Sequence, residues 1–125
     1  MLKKLAKKKQ INIRPENVVI REHFQRRMTK RFISNEMIDA CINFGTKQLF
    51  YKTTTIGRRK VQEMKISSPF LTIICNPKSK QLITAFLDPE FEQEVIKLAK
   101  ENKINMFRAV NMLFEAMYSN IKEVI

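Results

Sequence analysis

The residues best suited to chemistry are His23, Arg27 and Arg31, spaced four and four. On a helix that spacing lines all three along one stripe. Arg26 is adjacent, and Arg21 and Lys30 are close. Guanidiniums hold a phosphate bidentately and offset charge on a pentacoordinate transition state. An imidazole moves a proton near neutral pH. The set therefore suits phosphodiester chemistry without a metal. The bland alternative is a structural histidine on a solvated basic helix. His23 is the only histidine, so a two-histidine acid–base pair within one chain is excluded. Lys60 or an arginine would have to share the proton work.

Other chemistries find less support. Glu63 and Lys65, two apart on a strand, share a face as in metal-dependent restriction-type nucleases, but the only upstream Asp is Asp39, on a helix. Cys41 and Cys75 lie in apolar surroundings and read as packing residues, not as a disulfide or a zinc site. No glycine-rich phosphate loop, histidine pair or cofactor signature is present, so neither a metal nor a cofactor is expected.

These residues sit in a chain of 125 residues, short enough for one domain, with 44% hydrophobic side chains, enough for a core without staples. The 24 basic and 12 acidic side chains leave a net charge of +12. Residues 1–65 hold 17 basic and 5 acidic groups, and residues 66–125 hold 7 of each. An excess confined to one half points to a polyanion surface, RNA or DNA ahead of membrane. No run of 18 apolar residues exists, so no membrane span is expected. No apolar segment follows the basic start, which reads as a cytoplasmic protein without a secretory signal.

The elements that must position the stripe follow from periodicity. Residues 1–15 begin with a basic arm, MLKKLAKKKQ. Val19, Ile20, Phe24, Met28 and Phe32 predict a helix near 17–31, with a strand-like start at 18–20. Ser34 caps a second helix that turns Met37, Ile38, Cys41 and Ile42 inward, and Gly45 takes the left-handed position at its end. KQLFYKTTT, KVQEMKIS, FLTIIC and QLITAFL predict four strands, with a hairpin around Ile56–Arg58 and FLTIIC buried on both faces. Asp88-Pro89-Glu90 opens a third helix with Phe91, Val95, Ile96 and Leu98 or Ala99 inward. Asn105 caps a fourth with Phe107, Val110, Leu113, Phe114 and Met117 inward. The expected class is α+β: an antiparallel sheet of about four strands with two N-terminal and two C-terminal helices packed on it.

The string VVIREHFQRRMTKRFISNEMIDACINFG resembles the opening of a small bacterial family of unknown function. That family shows His, Arg four on, Met, Arg, then Ile-Ser and a helix ending in Gly. His23, Arg27, Met28, Arg31, Ile33, Ser34 and Gly45 fall on those positions, and Ile83-Thr84 resembles its later Ile-Thr pair. This chain has Phe32 where the family usually has Gly, which puts the exit from the first helix in question. The family is grouped with the RelE, colicin D and barnase-like ribonucleases. The resemblance implies a nuclease-like core over 16–87, a helical extension over 88–125, and a metal-independent ribonuclease toxin or an inactive relative. It implies an antitoxin or immunity protein as partner. It adds Thr84 to His23, Arg27, Arg31 and Lys60 as catalytic candidates.

In RelE-type folds the sheet usually faces RNA. That makes Lys52, Arg58, Arg59 and Tyr51, with Arg26 and Lys30 on the helix, candidate nucleic-acid contacts. Two rivals belong to other classes. LITAFLDPEFEQEVIKLAKENKINMFRAVNMLFEAMYSN reads as strand, helix, helix and resembles a ribbon-helix-helix DNA-binding regulator, though its strand holds no basic residue. The other rival is a partner-binding structural protein with a solvated basic half.

Overall fold

The computed structural model describes residues 12–53 and 59–124. Among these residues the arrangement is the expected α+β one: two helices, a four-stranded antiparallel meander, then two more helices. Residues 1–11, the basic start, and residues 54–58, where the hairpin around Ile56–Arg58 is expected, lie outside the described residues.

Helix α1 spans Glu22–Lys30, five residues shorter at its start than periodicity predicts. Val19 is drawn into a parallel bridge with Gln81 instead: its N–H donates to Lys80 O at 2.8 Å, and Leu82 N–H donates to Val19 O at 2.9 Å. Pairing with a distant strand overrides local helical spacing. Phe24 and Met28, one turn apart, are the buried face of α1. The helix closes with Phe32 N–H donating to Thr29 O at 3.3 Å and Ile33 N–H to Met28 O at 2.9 Å. This is the pair of hydrogen bonds of a left-handed C-terminal turn, and Phe32 itself holds φ 61°. The glycine-type exit is thus kept, with phenylalanine in it.

Helix α2 spans Asn35–Phe44, and Ser34 Oγ accepts from Met37 N–H at 3.2 Å. All four residues expected inward are buried. Gly45 corrects the sequence reading: its φ of −73° and ψ of 155° are extended, open to any residue. Glycine is needed there for close approach. A Cβ would collide with the Cys41 carbonyl oxygen, and would stand 2.7 Å from Ile66 Cγ2 and 3.0 Å from Ser67 O.

The strands are β1 (Thr46–Thr53), β2 (Lys60–Ser67), β3 (Leu71–Cys75) and β4 (Leu82–Leu87), in spatial order β1-β2-β3-β4. Met64, Ile66, Leu71, Ile73, Cys75, Leu82, Ala85 and Leu87 form the buried face, against which α2 packs on β2 and β3. The fit of β4 to β3 shifts by one residue between Ile74 and Cys75, which absorbs Ile83.

Helix α3 (Pro89–Asn102) starts on Asp88, whose carboxylate accepts from Glu90 and Phe91 N–H at 3.1 and 3.2 Å. It ends at Lys103, left-handed at φ 54°. Helix α4 (Met106–Val124) starts on Asn105, which accepts from Arg108 N–H at 2.8 Å. Both helices join the core through Phe70, whose ring meets Phe91 at 6.4 Å and Phe114 at 5.0 Å, edge to face. Two expected inward residues are not: Ile96 and Phe107 are exposed. The inward stripes run 91, 95, 98, 99 and 106, 109, 110, 113, 114, 117. Ile96 and Phe107 each sit one residue, about 100°, off their stripe, and small Ala109 takes the inward place.

Candidate nucleic-acid interface

Helix α1 lies along the outer edge of β4. Its approach is anchored at Gln81 and Leu82 through Val19, and its exit at Thr84 and Ala85 through Arg31. Arg31 Nη1 donates to Thr84 Oγ1 at 3.1 Å and to Ala85 O at 2.6 Å. Two of the catalytic candidates are therefore in direct contact. Arg31 is also a strut, since it satisfies an edge carbonyl that would otherwise need water.

His23 and Arg27 lie two turns and one turn before Arg31 on the same stripe. His23 is exposed and makes no hydrogen bond or ion pair among the described residues, so it is not a buried structural histidine. Arg27 is half-buried beside the Phe24–Met28 face, and Lys30 is exposed. Arg26 pairs with Glu22 at 3.3 Å, both largely in water, where such a pair contributes little.

Register decides which strand residues join them. Directly opposed residues share a face. Thr84 opposes Ile74, and Ile74 opposes Lys65, which opposes Gln48. Phe86 opposes Thr72. These residues, with Phe50, Lys52, Val61 and Glu63, form the second face of the sheet. It is half-buried or exposed except at Thr72. One packed and one open face is usual for antiparallel sheets.

Lys52 is on this open face. Lys60 is not. It opposes Thr53, and together with Tyr51 and Gln62 it lies on the face that carries Met64. Lys60 is also two strands from Thr84 and at the hairpin end, so its assignment to one catalytic set with Thr84 is corrected. Tyr51 is 68% exposed and accepts weakly from Gln62 Nε2 at 3.5 Å, away from the open face. Arg59 is exposed just before β2.

Sequence reasoning alone misses Phe86, and Phe50 with it, as open-face residues. It weighs Lys65 only as half of a metal pair. Phe86 is two residues from Thr84, and that alternation is the signal that finds it. Glu63 and Lys65 do share the open face, but Asp39 is on α2, against the other face. No group of three His, Cys, Asp or Glu gathers among the described residues.

Proton affinity is shifted at Asp39, Cys41 and Cys75. Asp39 is raised above the usual carboxylate value, first by burial and then by Glu16 and Glu36 nearby. Burial pushes the Cys41 and Cys75 thiols up to about 11. Cys41 Sγ donates to the carbonyls of Leu71 at 3.4 Å and Ile66 at 3.6 Å, and Cys75 is fully buried in β3, so both thiols are shut off from a substrate. Among the described residues, no helix is long and apolar enough to cross a membrane. Compared with known protein families, with curated proteins and with solved structures, the chain finds no match.

Proposed function

We propose that this protein binds RNA across the open face of its sheet, with α1 as a basic flank. We propose further that it acts on the phosphodiester backbone without a metal, as a RelE-like ribonuclease toxin or an inactive relative held by an antitoxin or immunity protein. The observation that carries the reading is the Arg31–Thr84 contact. It fixes the basic stripe against the strand edge where the open face begins. His23 and Arg27 then stand at the rim of a face that also presents Lys52 and Lys65.

In the proposed reaction a 2′-hydroxyl loses its proton and attacks the adjacent phosphate, a 2′,3′-cyclic phosphate forms, the P–O5′ bond breaks, and the departing 5′-oxygen takes up a proton. Arg27 offsets charge on the phosphorane. His23 moves the proton. Lys65, on the same face as Thr84, takes the second cationic role in place of Lys60. The ribbon-helix-helix alternative needs β4 to pair with a second copy. Gln81 and Leu82 are already joined to the Val19 segment, which works against it.

A fluorescence-quenched RNA assay with EDTA tests the activity. Cleavage should survive EDTA and vanish in His23→Ala, whose melting temperature should match the parent because the side chain is exposed. Binding should weaken steeply with salt: about 4–6 phosphate contacts give a log–log slope near −3 to −4 on single strands, at roughly −0.7 per contact. A flat salt dependence would remove nucleic acid as the partner.

A further inference from the structure

Beside the Arg31–Thr84 contact is a cleft of about 310 Å³, between the end of α1, the end of β4 and the starts of α3 and α4. Phe32 and Phe86 line it, with Leu87 and Met106, and Lys30, Arg31 and Glu92 complete the lining. Two independent features of this cleft call for an explanation. Phe32 and Phe86 keep 37% and 42% of their surface in water, although the nearby core buries other phenylalanines almost completely. Phe32 also holds a left-handed backbone, φ 61°, that glycine adopts freely and a bulky residue rarely does. The helix-end turn accounts for the left-handed backbone but not for its bulky occupant, since glycine would serve the turn better. That occupant delivers a ring to the same cleft as Phe86.

We infer that this cleft is a stacking site for one unpaired nucleobase of single-stranded RNA, an inference that rests on the RNA reading above. The size is at the low end of ligand clefts, about 300–1,000 Å³, which fits one flat ring and not a helix or a strand. Aromatic faces stack any base. Lys30 and Arg31 supply the positive charge that the phosphates flanking a base require. Glu92 is the one carboxylate in the lining. It repels phosphate but accepts from the exocyclic amino group of adenine, cytosine or guanine, which uracil lacks. Duplex RNA has no free base to offer, so the cleft selects single strands.

The test uses the full chain and a short RNA with 2-aminopurine at its centre, titrated beside a duplex of equal length. The parent protein should quench the 2-aminopurine on binding. Phe86→Leu keeps apolar volume but removes the ring. It should remove the quenching and weaken single-strand binding about tenfold, with duplex binding unchanged. Phe86→Trp should restore both. Melting curves identify any variant that fails to fold, and Phe32→Leu gives a second, separate removal of a ring. Salt-sensitive RNA binding with quenching unchanged in both leucine variants would overturn the stacking site and leave the RNA reading intact. No RNA binding by the parent protein would overturn both.

Discussion

Replacing Gly45 with alanine sets two physical arguments against each other. The backbone there is extended, so alanine adopts it without strain. On conformational grounds alone the change should stabilise by about 0.4–1 kcal/mol, through a less flexible unfolded chain. Contact says the opposite. The new methyl would meet the carbonyl of Cys41, the Ser67 oxygen at 3.0 Å and the Ile66 methyl at 2.7 Å. Two of these three neighbours are backbone, and Ile66 is fully buried, so none can swing aside. Forcing a methyl into such a site costs about 1–3 kcal/mol. Setting the middle of the contact cost against the middle of the chain-entropy gain leaves a net loss of about 1.3 kcal/mol. An unfolding entropy of roughly 2.1 cal/mol/K per residue gives about 0.26 kcal/mol per degree for 125 residues. The melting temperature should therefore fall by about 5 °C. Thermal melts followed by far-ultraviolet circular dichroism, with urea midpoints as a check, measure it. A Gly45→Ala protein as stable as its parent, or more so, would refute the close approach of α2 to β2.

Arg31→Ala should lose about 1–2 kcal/mol, because a charged donor leaves Thr84 Oγ1 and Ala85 O unpaired; Arg31→Lys should recover only part in urea melts, since one ammonium does not reproduce the planar fork. Lys103→Gly should raise stability by about 0.5–1 kcal/mol by relieving a left-handed φ of 54°, and a melting temperature that falls would oppose this. Stability should decline above pH 9. The unfolded Cys41 thiol ionises from its ordinary 9.0 while the folded one holds its proton to about 11, so the unfolded state binds fewer protons in that window. The loss is up to about 1.4 kcal/mol per pH unit, and a urea midpoint constant from pH 8 to 10 would contradict the burial.

Much of the fold was legible because its signals are local. Ser34, Asp88 and Asn105 cap the helices they precede, since a cap needs only its own next three residues. The strands announced themselves by composition and turns, and the meander by its short links. What was illegible depends on distant partners. Val18–Ile20 suits helix and strand alike, and only the bridge to Gln81 decides. Gly45 looked like a conformational glycine, because a neighbour's approach leaves no trace in sequence. The candidate site divides the same way. The stripe His23, Arg27, Arg31 is helix arithmetic, whereas the separation of Lys60 from Thr84 follows from pairing register across three strands.

The anchoring of α1 has a consequence for the order in which the chain assembles. Each strand of the meander pairs with its sequence neighbour, so those contacts close short loops early. Arg31 and Thr84 are 53 residues apart, and Val19 and Gln81 further still. Closing a loop costs about 0.6 kcal/mol more for each doubling of its length. Docking α1 on β4 thus closes a longer loop than any strand pairing of the meander, and its release leaves the ladder between the four strands intact. The segment that carries the only histidine is also the one whose detachment leaves β4 with an unpaired edge.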